Sequence, residues 1–387
     1  MDSEVQGTSA EAPGAGITVS GAPAAPPAPV PAPKSKLHWV FIGPQGLRSG
    51  WSAGIFVGIF LFVQLLFRGA AKLAEKMGTQ SNAPAKTTNL TPAFMILGEG
   101  FSLLFLLIVI LFMALLEHRH PADYNLRGTR SFTKFLSGLA AGFAALSALI
   151  AAMYLGGWIH FGPVALSGWP ILSYGALWGI GFLLVGLMEE GMCRCYLQFT
   201  LTRGINFWWA LAAVAAMCTS LLFSHHGQEA WGTYSFALLG LFPCLLLHLR
   251  NSPDSSFWYA AWATSTYFGW IHTSNTGENW IGIFQAAAIG FVFCVSVWAT
   301  GSAWWAIGCH AAWDWAESYF YGTADSGLVA KGHLLNTTPA GSALWNGGAD
   351  GPEGSLLMFP ITALLLLAVI ALYGRRKHLK AAASTTA

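Results

Sequence analysis

Two adjacent carboxylates and a guanidinium, Glu189, Glu190 and Arg194 in E-E-G-M-C-R, interrupt an apolar run that opens W-G-I-G-F-L-L-V-G-L-M and resumes C-Y-L-Q-F-T-L. A charge at the centre of a membrane helix costs roughly 2.5–3.5 kcal/mol even on the mildest scale, and such residues mark functional sites by default. Helix geometry sorts the three. Glu190 and Arg194 are four apart, so they share a face and can pair. Glu189 is turned by about 100° from Glu190 and has no such local partner. One carboxylate is therefore structural and the other is free for chemistry. The alternative is a self-neutralising polar patch that binds helices together.

Two further polar sets follow on later apolar segments: Phe268–His272, F-G-W-I-H, and His310–Asp314, H-A-A-W-D. His310 and Asp314 lie on one helix face, where a carboxylate can orient an imidazole and fix its tautomer. Alone, each set has a plain reading: His272 bonded to a nearby carbonyl, His310 and Asp314 as a packing pair. Together, one free carboxylate and two imidazoles support two hydrolytic mechanisms. With a metal, Glu189, His272 and His310 hold a Zn²⁺ whose bound water ionises near pH 7. Without one, Glu189 and His272 act as general base on a water, and His310, with Asp314, stabilises the oxyanion. No H-E-x-x-H pair is present, which removes the strongest sequence argument for zinc. Both mechanisms stay open.

The elements that must position these residues are membrane helices. The chain has 387 residues, 55% hydrophobic and 9% charged, against about 25% charged in a soluble domain. The net charge of +2 gives no support for nucleic-acid binding. Apolar runs long enough to span a bilayer are predicted near 50–67, 92–117, 135–156, 173–200, 207–224, 233–249, 256–272, 282–300, 302–320 and 355–373. The seventh and ninth are the least apolar, and they carry the histidine motifs. Many of the 18 Trp and 26 Phe fall at segment ends, as in interfacial belts. The six cysteines lie in apolar segments without a C-x-x-C pair and read as small buried residues, not disulfides or zinc ligands.

Residues 1–36, rich in Ala, Pro and Gly, read as a disordered tail. Residues 37–134 hold the N-terminal spans, 135–320 the motif-bearing core, and 321–387 a loop, a last span and a basic tail. The Lys and Arg in short loops place both termini in the cytoplasm, although Arg68, Lys72, Lys76 and Lys86 sit in a loop assigned to the outside. F-W-W-A-L-A-A-V at 207 resembles F-W-Y-A-A-W-A-T at 257, so 207–256 reads as an inserted repeat adding two spans. Its His225 and His226 are a rival second motif, with the wrong spacing from Phe223. One difficulty is depth: Glu189 falls near the inner end of its span, and His272 near the outer end of its own.

E-E-x-x-x-R, F-x-x-x-H and H-x-x-x-(N/D), in this order, resemble the CPBP (CAAX prenyl protease type II and bacteriocin-processing, or Abi) family of intramembrane endopeptidases, over about 135–320. The resemblance implies an all-α, polytopic helical bundle of about eight core spans plus the two-span insert. It implies a multi-pass membrane protease, metallo- or glutamic, cleaving a membrane-embedded or membrane-anchored peptide or protein. Glu189 matches the water-activating glutamate, Glu190 and Arg194 its supporting pair, His272 the second motif, and His310 and Asp314 the third. Two features depart from the pattern. Cys193 and Cys195 flank Arg194 where Phe and Gly are usual, and Asp314 stands where some members have Asn. An ionised Asp cannot donate to an oxyanion. The reading from another class is a non-catalytic scaffold, transporter or self-immunity protein that keeps the fold.

Overall fold

The computed structural model describes residues 40–43, 46–76, 89–224, 227–275 and 277–374. The Ala/Pro-rich tail, Lys86, His225, His226 and the basic run after Gly374 lie outside the described residues.

Each predicted apolar run is a helix: α1 (Ser49–Lys76), α2 (Pro92–Leu116), α3 (Ser131–Leu155), α4 (Trp169–Thr202), α5 (Phe207–Phe223), α6 (Ala230–Leu249), α7 (Ser255–His272), α8 (Trp280–Thr300), α9 (Trp304–Asp314, running on through Trp315–Phe320) and α10 (Met358–Gly374). Five of them, α2, α3, α4, α6 and α8, are long and apolar enough to cross a membrane. Three shorter apolar stretches, Ser49–Val63, α5 and α10, accompany them. The molecule is a helical membrane bundle. Exposed tryptophans stand in the first turns of α1 (Trp51), α4 (Trp169), α5 (Trp208, Trp209), α6 (Trp231) and α8 (Trp280). That is where amphipathic rings meet a bilayer interface.

The two motif helices that fail the apolar test, α7 and α9, are the ones the bundle encloses. From Tyr259 to Thr266 every residue of α7 is buried, and so is nearly all of α9 from Trp305 to Asp314. Polar residues are tolerated there because neighbouring helices, not lipid, surround them. α5 and α6 cover one side of α7. Trp262 donates its indole N–H to the Ala237 carbonyl at 3.1 Å, and Phe207, Ala210, Val214 and Phe236 pack on Tyr259, Trp262 and Ala287.

α3 and α9 meet at backbone distance. Gly138 and Gly142 lie over the carbonyls of Trp305 and Cys309, where an added Cβ would come to 2.2 and 2.1 Å, and Gly308 lies over the Phe135 carbonyl. Small residues spaced by four let membrane helices approach this closely, and the contact seats the turn that bears His310.

α4 is longer than expected and is continuous to Thr202. Glu189, within α4, and His272, at the end of α7, nevertheless line the same cavity, so the packing of the two helices brings them together. The helix widens to π geometry over Gly191–Leu197, directly after the two glutamates, and α9 does the same over Trp315–Phe320, directly after Asp314. Such widenings are frequent at functional sites. The segment between α9 and α10, expected as loop, contains Leu335–Pro339 paired antiparallel with Ile159–Val164, and Leu328–Ala330 paired with Ala324–Asp325 and Asn89–Leu90. These strands are short and interrupted by Gly and Pro, so no alternation announces them.

Candidate active site

Glu190 and Arg194 are both fully buried and are paired across one turn. Arg194 Nε lies 3.2 Å from Glu190 Oε2, and Nη1 donates to Oε1 at 3.3 Å. The guanidinium carbon also sits 4.4 Å from the centre of the Phe268 ring on α7 and 5.4 Å from that of Phe293 on α8. Both aromatic faces stabilise a cation that has lost its water.

His310 stands on this pair. Its Nδ1 donates to Glu190 Oε1 at 2.9 Å. Its Nε2 faces Asp314 Oδ2 at 3.5 Å and Glu189 Oε2 at 3.7 Å. The short bond that orients the imidazole thus comes from Glu190 rather than from Asp314, because α4 and α9 approach closely at Gly186. The Phe293 ring stacks on the imidazole, with centroids 5.7 Å apart.

His272 closes α7. Its Nδ1 is 2.7 Å from the Phe268 carbonyl. A carbonyl only accepts, so Nδ1 carries the hydrogen and Nε2 is left as an acceptor. The F-x-x-x-H spacing has a physical basis here: one turn places Phe268 against Arg194, His310 and His272 together.

Glu189, His272, His310 and Asp314 line one cavity of about 140 Å³, with Phe182, Phe268, Ile289 and Phe293 among its apolar walls. It shares Met95, Asn275, Asp325 and Ser326 with a second hollow of about 360 Å³. The Glu189 side chain keeps 19% of its exposure while that of Glu190 keeps none, so the two carboxylates divide as their phases on the helix require. The six expected residues fall into four that line the cavity and a buried pair, Glu190 and Arg194, beneath them.

The sequence reading missed an acidic rim. Asp325 and Glu353 line the cavity from the segment after α9, and Gln285 lines it from α8. Burial pushes the Glu353 carboxyl up to about 8, helped by Asp325 and Glu278, and the Asp350 carboxyl up to about 9, helped by Glu278 and Glu353. Asp325 rises to about 6 by burial, against the Ser318 hydroxyl that donates to it. Glu278 is raised by burial and held down by His272. The available signals were A-D-S-G at 324 and A-D-G-P-E-G at 349, acidic residues in glycine-rich segments close after the third motif. Glu99 on α2 was also passed over; its Oε2 is buried without a hydrogen-bond partner.

Zinc bound at about 2.0–2.1 Å needs donor atoms gathered around one point. Among the described residues the group whose donor atoms all lie within 4.8 Å of one another is Glu317, Asp325 and Glu353, and not Glu189, His272 and His310. In addition, both ring nitrogens of His310 face carboxylates. The latter three do not fit a zinc ion as they stand. The carboxylate trio is held by hydrogen bonds, with the Trp313 indole donating to Glu317 at 3.1 Å and to Glu353 at 2.8 Å. Its all-oxygen chemistry differs from that of a zinc site.

Residues 241–316 match the family described as type II CAAX prenyl endopeptidase Rce1-like. This segment is similar to the intramembrane proteases that the three motifs resemble. The match runs from within α6 into α9 and contains F-x-x-x-H and H-x-x-x-D. The E-E-x-x-x-R set on α4 lies outside it, and the fold brings that set to the other two. No curated protein and no solved structure matches the chain.

Proposed function

We propose that this protein is a multi-pass intramembrane endopeptidase that hydrolyses a peptide bond of a membrane-anchored protein or peptide, with water activated by Glu189 and His272. The observation that supports it is convergence: Glu189, His272 and His310, from three helices, line one cavity, and the two histidines lie within the family-matched segment. Glu189 accepts a proton from the water, whose oxygen attacks the carbonyl carbon. His272 presents Nε2 as a second acceptor for that water. When the C–N bond breaks, the proton passes from Glu189 to the departing amine, so one water is consumed and no other reagent is required. Glu190 and Arg194 hold His310 without touching substrate, and His310 and Asp314 face the reacting groups. The apolar walls limit bulk water, which strengthens each of these interactions.

The test is cleavage by detergent-purified full-length protein of a mixed peptide library and a farnesylated C-terminal peptide, followed by mass spectrometry. Glu189→Ala is expected to insert and melt like wild type and to cleave nothing. Full cleavage by that variant would remove Glu189 from the mechanism. Cleavage by neither protein would favour a non-catalytic membrane role.

A further inference from the structure

We propose that Asp325 sets substrate specificity: its carboxylate takes the cationic side chain, Lys or Arg, of a substrate residue at or next to the cleaved bond; the inference rests on the peptidase reading. Asp325 lines both the catalytic cavity and the adjoining hollow of about 360 Å³, and it is the one charged residue lining the latter. A Lys or Arg side chain has an apolar stem and a charged head. The hollow has walls for both: Leu90, Met95 and Leu328 are apolar, while Asn275, Ser318 and Asp325 are polar. Because Asp325 shares the cavity with Glu189 and His272, the residue it reads lies at the reacting bond and not far along the chain. A glutamate, or a free terminal carboxylate, in the same place would meet like charge.

Asp325 is held in place by its backbone. It ends the strand Ala324–Asp325, paired antiparallel with Leu328–Val329, and Ser326 and Gly327 make the turn at φ 47° and 82°. Two left-handed residues in succession are the geometry of a tight two-residue hairpin. The Asp325 Oδ2 accepts from the Ser318 hydroxyl at 2.9 Å; its Oδ1 has no donor among the described residues and is not sealed off. Neither hollow has a Lys or Arg among its lining residues. The two histidines are engaged elsewhere, His272 with the Phe268 carbonyl and His310 with Glu190. Burial holds Glu353 at about 8 and Asp325 at about 6, so of these two rim carboxyls Asp325 carries the charge at neutral pH. Beside it Glu317 is fully buried, and its Oε1 has no hydrogen-bond partner. Donor atoms of Glu317, Asp325 and Glu353 all lie within 4.8 Å of one another. Three carboxyl groups in that space, one with an empty buried oxygen, are short of hydrogens. An ammonium brings three N–H donors and a guanidinium five, and either supplies what a buried unpartnered oxygen lacks.

The experiment uses full-length detergent-purified wild type, Glu189→Ala, Asp325→Asn and Asp325→Lys. The substrates are versions of the best-cleaved library peptide with Lys, norleucine or Glu at each position flanking the cut. Norleucine keeps the stem of lysine without its charge, and Asp325→Asn keeps an oxygen for Ser318 without the carboxylate's charge. At one flanking position wild type should cleave the Lys peptide with a kcat/KM roughly 10- to 100-fold above the norleucine peptide, and the Glu peptide least. Asp325→Asn should bring Lys and norleucine within about threefold of each other, and Asp325→Lys should place Glu above Lys. A merely structural Asp325 would lower all three peptides together. Lys and norleucine cleaved alike by wild type overturn the inference without recourse to any variant, so failure of a variant to fold does not protect it. A Lys preference that survives in Asp325→Asn overturns it equally. Thermal melts with Ca²⁺ or Mn²⁺ separate a bound ion from a bound side chain. Stabilisation of wild type that Asp325→Asn abolishes, without a Lys preference, would assign these carboxylates to a metal ion and overturn the inference. An active wild type, a silent Glu189→Ala and indifference to the flanking charge remove this inference alone. A silent wild type removes the peptidase reading and this inference with it.

Discussion

Arg194→Leu is the perturbation whose outcome the structure constrains most tightly. Arg194 and Glu190 are fully buried, their oxygens and nitrogens lie 3.2 and 3.3 Å apart, and the guanidinium rests on Phe268. Breaking a buried pair from one side leaves an uncompensated charge and costs roughly 3–5 kcal/mol. Loss of the aromatic contact adds about 0.5–2 kcal/mol. His310 remains as a donor to Glu190 at 2.9 Å and offsets part of this, so about 3–4 kcal/mol is the net expectation. Glu190→Gln with Arg194→Leu removes both charges, yet the glutamine oxygen can still accept from His310 Nδ1. The double variant should recover about 1.5–3 kcal/mol relative to the sum of the single changes, as residues in contact do. The assay is reversible unfolding of the four proteins in one detergent, analysed as a double-mutant cycle. A coupling energy below about 0.5 kcal/mol would show that the pair does not act as a unit, and the platform beneath His310 would have to be explained otherwise.

Gly142→Leu should separate α3 from α9, because even a Cβ there would come to 2.1 Å from the Cys309 carbonyl. The expected outcome is at least about 3 kcal/mol of lost stability and no cleavage, and a normal melting temperature would contradict the packing. Asp350 gives a pH dependence. Its folded-state pKa, pushed up to about 9 by burial and by Glu278 and Glu353, lies above that of an unfolded aspartate at about 3.9. The folded protein thus keeps a proton that the unfolded chain releases, and stability is lost as pH rises through this window. Between about pH 5 and about pH 9 the wild type should lose ~2 kcal/mol or more that Asp350→Asn does not lose; equal slopes in thermal melts would refute the assignment.

The bundle was legible because apolar runs separated by short polar segments have few alternatives in a membrane. The division between Glu189 and Glu190 was legible because four residues make one helical turn. That Glu189 and His272 meet in one cavity was not legible, because it depends on how α4 and α7 pack rather than on the limits of either helix. His310 and its neighbour Asp314 were found, but the closer partner Glu190 was not, since it reaches His310 across a glycine contact between helices that no local spacing encodes. Asp325 and Glu353 escaped notice for a related reason. They sit in an aperiodic segment whose strands pair with residues near 160 and 90.

The three motifs are physically one object. Phe268, from the second, covers the guanidinium of the first; His310, from the third, is held by the carboxylate of the first; His272 is fixed by the carbonyl of the same Phe268. None of these contacts is satisfied within a single helix, apart from the Glu190–Arg194 and Phe268–His272 turns. In hydrocarbon an unsatisfied polar group is expensive, so each motif residue stabilises the others only when all three helices are assembled. That accounts for the burial of α7 and α9, the least apolar long segments of the chain. The segment of residues 241–316 that matches the family model holds two of these three parts, and the third lies on α4, outside it.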